Sequence, residues 1–325
     1  MRSPIDRAVR PHPVSPLRAV LTVGACVVLA SACANPDDSG SASPSSAGTT
    51  AAEVSVERSA KLYAMVPDAY KKAGSIKVAT NAPFPPFEMF AGSGNKNLYG
   101  LEIDLGKALG KRLGVPFEFT QQPFDGLLPG LQAKKYDVLM AGLFDTEARE
   151  KTVDFVNYGR SGSALLVGKG NPEKLRTPAD LCGHQAAAQT GAQQIALLKK
   201  QSSQCVKQGK EGISVKTFPQ FSDALLALKT GKAETIAGDL PALRYSAQRD
   251  ATVETVQDPK APEGYDPAAL GIGLPKNQPK LRQAVLSALS DLMSSGAYDK
   301  ILAHYDVEQI AIDEPYVNRA GEATE

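Results

Sequence analysis

Two ionisable residues stand where a zwitterion would need them. Arg149 comes shortly after the apolar run Tyr136–Ala141 and three residues past Thr146, whose type fits a helix N-cap, with Glu147 in the first turn. A guanidinium held at the end of a strand can grip a carboxylate through two parallel N–H bonds. Its competing role is a surface ion pair with Glu147 or Glu150. Asp239 closes a second run, Ala233–Asp239, and can receive an ammonium group; its competing role is to cap the helix expected around Pro241–Ala247. The segment Ala188–Gln194 passes from a strand into a helix expected over Ala192–Lys200. Its Gly191 allows close approach, and the free N–H groups at a helix start attract anions. One anion site plus one carboxylate is the set a zwitterion requires. No catalytic set stands beside it: the three His are His12, His184 and His304, far apart, and neither H-E-x-x-H nor G-x-S-x-G occurs.

These residues need strand ends to hold them. Ile76–Thr80 reads as a short strand, followed by the turn-rich Asn81–Pro86. Within Gly100–Gly114, Leu105, Leu109 and Leu113 recur every four residues on one helical face, with Ile103 beside them. Asp125–Lys134 reads as a second helix and Tyr136–Ala141 as a buried strand. Strands alternating with amphipathic helices point to an α/β fold with mainly parallel sheets. Phe124, Leu128, Leu131 and Lys135 recur 97 residues later as Phe221, Leu225, Leu228 and Lys232, each set leading into a β-run. Two copies of helix–loop–strand imply two similar lobes, although four matches at helical spacing also describe a generic apolar face. Ligands of open α/β sheets bind beyond the carboxyl ends of the strands, so Gly142 and Asp239 would line one cleft.

Composition excludes several classes. The 325 residues carry 36 Lys+Arg against 35 Asp+Glu, which lacks the basic footprint of a nucleic-acid binder. Hydrophobic residues make up 42%, too many for a chain disordered throughout. No apolar run reaches the ~18 residues of a transmembrane helix. Residues 1–32 read as a signal peptide: Arg2, Arg7, Arg10 and Arg18 precede the uncharged stretch Ala19–Ala32. Its ending, Leu29–Cys33, resembles a bacterial lipobox with Ala30 in the usual place of Leu, which makes Cys33 the expected lipid-carrying N-terminus. Ala30-Ser31-Ala32 also fits ordinary cleavage, and Cys26 is the alternative anchor. Without residues 1–32 the balance is 32 basic to 34 acidic, or −2. Residues 33–56 read as a flexible linker of small polar residues behind that anchor. Export would put the remaining cysteines, Cys182 and Cys205, in an oxidising compartment, where a disulfide is expected. Closing that loop contributes roughly 3 kcal/mol on the chain-entropy model. His184 alone beside them leaves too few ligands for a metal site.

Several further segments, in this order, make the chain resemble the bacterial extracellular solute-binding proteins of family 3, the polar-amino-acid receptors of ABC importers. The most specific is Gly100–Leu113. Pro85–Phe87, Leu127–Leu131, Lys135–Asp137, Thr146 with Arg149, Asp154-Phe155, Asp239 with Pro241, Gly271–Lys276 and Leu292–Leu302 also match. The likeness covers roughly residues 75–306. It implies a two-lobed, type II periplasmic-binding-protein-like fold. Lobe 1 would be residues 57–160 and 267–312, lobe 2 residues 161–266, and residues 313–325 a C-terminal tail. Two hinge crossovers would lie near Asn157–Ser163 and Glu263–Ala269.

Carried over by position, the resemblance gives Arg149 the ligand's α-carboxylate, with backbone N–H groups of Gly191 and Ala192, and gives Asp239 the α-ammonium. Gly142 would present backbone to the ammonium, Phe84 and Phe124 would sandwich the ligand, and Asn81 would lie toward its side-chain end. Three departures stand out: Phe144 replaces a usual Ser or Thr, Ala141 a common Ser, and Ala192 a common Thr. Each removes a hydroxyl partner, and losing a hydrogen bond to a charged group costs about 1.5–3 kcal/mol. Receptors for basic amino acids carry an acid at Asn81, so Lys, Arg and His are disfavoured. The resemblance implies a monomeric, non-enzymatic binding module without metal or cofactor, anchored by lipid outside the cytoplasmic membrane and serving permease subunits. Its rivals are a cyclohexadienyl-dehydratase-like enzyme on the same fold, with Asp145 as the suspected acid or base, and a ligand-sensing receptor.

Overall fold

The computed structural model of the chain describes residues 50–92, 97–256 and 258–320. The expected signal peptide, Cys33, Cys26, the linker up to residue 49 and the tail from residue 321 lie outside the described residues. Helix α1 (Ala60–Met65) starts where the Ser59 hydroxyl accepts the Leu62 N–H, and α2 (Asp68–Ala73) stops at Gly74. Strand β1 (Ile76–Thr80) is the expected one. A ribbon of β2 (Met89–Phe90) and β3 (Leu98–Tyr99) leads into α3 (Leu101–Leu113), bounded by Gly100 and Gly114 and buried along its leucine face.

After β4 (Phe117–Gln121) the expected helix over Asp125–Lys134 is shorter. A 3-10 turn at Phe124–Gly126 runs into α4 (Leu127–Gln132), and the chain leaves it through Lys134 in the left-handed region, φ 58°. The expected strand Tyr136–Ala141 narrows to β5 (Val138–Leu139), the two residues in register with Val78 and Ala79 of β1. Short α5 (Glu147–Glu150) then precedes the long β6 (Val153–Gly168). Next come β7 (Gln185–Gln189), α6 (Gln194–Lys207), β8 (Ser214–Phe218), α7 (Phe221–Lys229), β9 (Thr235–Asp239) and α8 (Leu240–Arg249). Helix α6 begins two residues later than expected, because the Ala192 N–H is spent on the Gln189 carbonyl in the preceding turn. The chain closes with β10 (Val253–Thr255), β11 (Tyr265–Pro275), α9 (Pro279–Ser294), α10 (Ala297–His304) and β12 (Tyr316–Val317).

The fold is mixed α/β, with helices flanking the sheet. Two parallel triplets, β4-β1-β5 and β9-β7-β8, flank a central antiparallel pair, β11 and β6. Where two separate sheets were expected, one ladder runs through, because β11 pairs with β5 of the first triplet, β6 pairs with β9 of the second, and the two long strands pair with each other. Their pairing shifts register between Tyr265 and Ala268 and again between Leu270 and Gly271. Cys182 and Cys205 form the expected disulfide, S–S 2.01 Å, tying α6 to the segment before β7.

Candidate functional site

The 97-residue repeat holds in three dimensions. Val138 and Leu139 lie in register with β1 as their counterparts Thr235 and Ile236 do with β7. The turns before them match bond for bond: Lys135 N–H to Gly130 O at 3.0 Å, Lys232 N–H to Ala227 O at 2.8 Å. Lys77 N–H donates to the Asp137 carboxylate at 2.9 Å, and Gln185 N–H to the Glu234 carboxylate at 2.7 Å. Each triplet therefore delivers its last strand to one place, and Gly142 and Asp239 meet there. A Cβ on Gly142 would come 2.7 Å from Phe84 and 3.8 Å from Asp239 Oδ2, and its φ of 58° suits glycine.

Around them closes a cavity of about 20 Å³, whose lining includes Phe84, Phe124, Gly142, Phe144, Arg149, Ala192 and Asp239. Volume of that size admits about one water. Thr146 caps α5 as expected, its hydroxyl accepting the Arg149 N–H at 3.3 Å. The Arg149 side chain lines the cavity. Its guanidinium donates to the Phe144 carbonyl at 2.7 Å and across the cavity to the Gly191 carbonyl at 3.2 Å. Among the described residues it has no ion pair. Burial pulls its pKa down to about 10, against the pull of Asp239 and Asp145, so it remains a cation at neutral pH.

Asp239 does not use its side chain to cap α8. Instead Oδ1 accepts from Gln194 Nε2 at 2.6 Å. Burial pushes its pKa up to about 7, opposed by the Gln194 bond and Arg149 and reinforced by Glu102. Asn81 sits just behind the lining. Its amide donates to Gln122 O at 2.7 Å and accepts from Gln189 Nε2 at 2.8 Å, and Gln189 does line the cavity. Gly191 touches the site through its carbonyl, and the Ala192 N–H faces Gln189.

Six further residues line the cavity without a role assigned from the sequence: Gln189, Gln193, Gln194, Phe221, Ala237 and Gly238. Phe221 meets Phe84 edge-on at 5.3 Å. It is the repeat partner of Phe124, so the repeat itself was the signal. Asp145, the suspected acid or base, is buried beside the cavity rather than in its lining, bonded through Oδ2 to Asn157 at 2.9 Å. Burial raises its pKa to about 7, with Asn157 opposing. His184 pairs with Glu234 at 3.1 Å, near Glu173 and apart from the cavity. Among the described residues no helix is long and apolar enough to cross a membrane.

Comparison with known proteins gives a consistent picture. The profile of the family described as bacterial extracellular solute-binding proteins, family 3, matches residues 76–308. An arginine-binding protein of Corynebacterium glutamicum is 30% identical over 260 residues, 79% of this chain and 83% of that protein. The solved structure of an ancestral arginine-binding protein bound to arginine is similar with a TM-score of 0.64 at 35% identity, over 71% of this chain and 98% of that one. An ancestral amino acid-binding protein, a precursor of cyclohexadienyl dehydratase, gives 0.62 at 31% identity, over 73% and 98%.

Proposed function

Because the chain belongs to the bacterial extracellular solute-binding proteins, family 3, we propose that it is the extracytoplasmic receptor of an ABC importer. It would take an amino acid or a related small zwitterion between two lobes and deliver it to a membrane permease. The observation that carries this reading is the presence of Arg149 and Asp239 in one cavity, a guanidinium and a carboxyl group without an ion pair between them among the described residues. A ligand carboxylate would take the guanidinium from the Phe144 and Gly191 carbonyls, and its ammonium would take the place of Gln194 at Asp239.

A cavity of about 20 Å³ is too small for an amino acid, so entry requires the two halves to part. The proposed lobes are residues 57–160 with 267–312, and residues 161–266. The register shifts of β11 and the contact of Gly162 with Gly264, where an added Cβ would meet backbone at 2.7 Å, support bends at the two crossovers. Closure would then be a population shift driven by ligand contacts to both halves. Anchoring through Cys33 and a monomeric state belong to the same proposal.

The side-chain end offers amides, Asn81, Gln189 and Gln220, and among the described lining residues Asp239 is the one carboxyl group. That favours a ligand with an uncharged side chain. The arginine-binding relatives favour arginine, with the aromatic lining to hold its guanidinium. A dye-based thermal-shift screen of the purified protein, which has no Trp, decides between them. A ligand at 100 times its Kd adds about 2.7 kcal/mol of stability, or roughly 5–10 °C at this size. A shift with L-glutamine or another neutral amino acid supports the first reading, and a shift with L-arginine alone the second. No shift with any amino acid, and turnover of a prephenate-like acid instead, would overturn both in favour of an enzyme.

A further inference from the structure

Behind Gly142 lie two acids that the ligand site does not use. Glu88 and Glu102 are fully buried. Both oxygens of Glu102 have donors: Oε2 accepts the Gly142 N–H at 2.8 Å, and Oε1 accepts the Tyr158 hydroxyl at 2.7 Å. Neither oxygen of Glu88 has one. Yet the Glu102 N–H bonds to the Phe87 carbonyl at 3.1 Å, which sets Glu88 and Glu102 side by side in the buried interior. Two buried carboxylates cannot satisfy each other, because both only accept. A single proton resolves it, and the donor count places the proton: Glu102, already served twice, is the carboxylate, and Glu88 is the acid.

We propose that Glu88 is a neutral carboxylic acid that donates its proton to Glu102, and that the pair positions Gly142 at the floor of the cavity. The second half of this statement rests on the reading of the cavity as a ligand site. Glu102 holds the Gly142 N–H from behind, and the planar trans peptide turns the Ala141 carbonyl to the opposite side. Gly142 is thereby fixed between Phe84 and Asp239. The hairpin contact of Phe84 with Glu88, paired through both backbone bonds at 2.8 and 3.0 Å, ties the aromatic wall to the same acid.

The groups around Glu88 all favour its neutral form. Burial raises its pKa most, then Glu102 from α3, then Asp239 from the end of β9. Tyr158 from β6, itself raised by burial and by Glu102, Glu88 and Tyr298 of α10, stays neutral and a donor. Arg149 acts on Asp239. Glu88 thus spares the floor of the cavity a second negative charge beside Glu102, while leaving Asp239 as the ionisable acid that meets the ligand.

The test needs no ligand. Infrared difference spectra of the ligand-free protein at pH 7, wild type minus Glu88→Gln, should show loss of a protonated carboxylic acid carbonyl band. Asp145 and Asp239 contribute such bands too, and the subtraction removes them. In NMR spectra the Gly142 amide proton should resonate far downfield, stay there in Glu88→Gln, whose amide also donates to Glu102, and move upfield in Glu102→Gln. Absence of the lost band would show Glu88 ionised and overturn the proposal. A Gly142 resonance unmoved by Glu102→Gln would overturn its positioning role. If Glu102→Gln does not fold, Glu88→Ala serves for the amide: it removes the donor and should shift the Gly142 resonance where Glu88→Gln does not. A cavity that binds no amino acid leaves both readouts standing, so failure here and failure of the ligand reading are separable.

Discussion

The two copies of the helix–loop–strand unit use the same backbone for opposite chemistry. Both end their helices in a left-handed turn residue, Lys134 in the first and Gly231 in the second, with φ of 58° and 70°. Both place a phenylalanine, Phe124 or Phe221, on the cavity wall. Their preceding parallel strands contribute Asn81 and Gln189, each four residues past its matching backbone bond, and these amides bond to each other. At the strand tip they part. The first copy offers Gly142, bare backbone with its N–H drawn back onto Glu102, and the second offers the carboxylate of Asp239. Geometry repeats while charge does not, so the cleft is nearly symmetric in shape and polarised in function. That polarity is what lets it orient a zwitterion.

The comparison breaks most severely when an end of the polarity is removed. Arg149→Ala is expected to cost about 2–5 kcal/mol of ligand affinity, as when a buried charge loses its partner. Asp239→Gly, which gives the second copy the residue of the first, should fall in the same range. Titration calorimetry with the screened ligand checks both; unchanged affinity in either would move that end of the ligand elsewhere.

A smaller effect follows from pH. The Asp239 carboxyl has a folded pKa of about 7, above its usual 3.8. In the empty protein its contribution to stability is therefore present below pH ~4 and lost as pH rises through 7. Ligand binding runs the other way, because an ammonium group requires the carboxylate. Affinity should climb about 100-fold from pH 5 to a plateau above pH 7, with proton release on binding. A flat affinity profile in wild type would count against Asp239 as the ammonium partner.

Backbone swaps sharpen the likeness rather than the difference. Gly142→Ala forces a Cβ onto Phe84 at positive φ and should cost about 1–3 kcal/mol of stability in urea unfolding. At the paired turns, Lys134→Gly should gain up to about 1 kcal/mol and Gly231→Ala should lose about as much, since only one copy has glycine at the left-handed position. A change of the same sign at both turns would contradict their equivalence.

Much of this was legible before the fold was known. The apolar spacing of Gly100–Gly114 and the 97-residue recurrence gave the elements, and strand ends gave Arg149 and Asp239. The amides were less visible, because Gln189 and Gln194 work through contacts with Asn81 and Asp239 that are remote in sequence. Phe221 is legible only through the repeat, as the partner of Phe124 on the cavity wall. Glu102 carries a signal of its own: it stands three residues before Leu105 and seven before Leu109, on the face that α3 buries. The single ladder through β6 and β11 could not be read locally, since it depends on which edges two long strands find.

The most direct test asks whether both ends of the cleft are used at once. Thermal shifts would be compared for the best L-α-amino acid, its analogue without the α-ammonium and its analogue without the α-carboxylate. The expected result is a shift of roughly 5–10 °C for the parent at 100 times its Kd and little for either analogue. An equal shift with either analogue would contradict the pairing of Arg149 and Asp239 as the two ends of one zwitterion site.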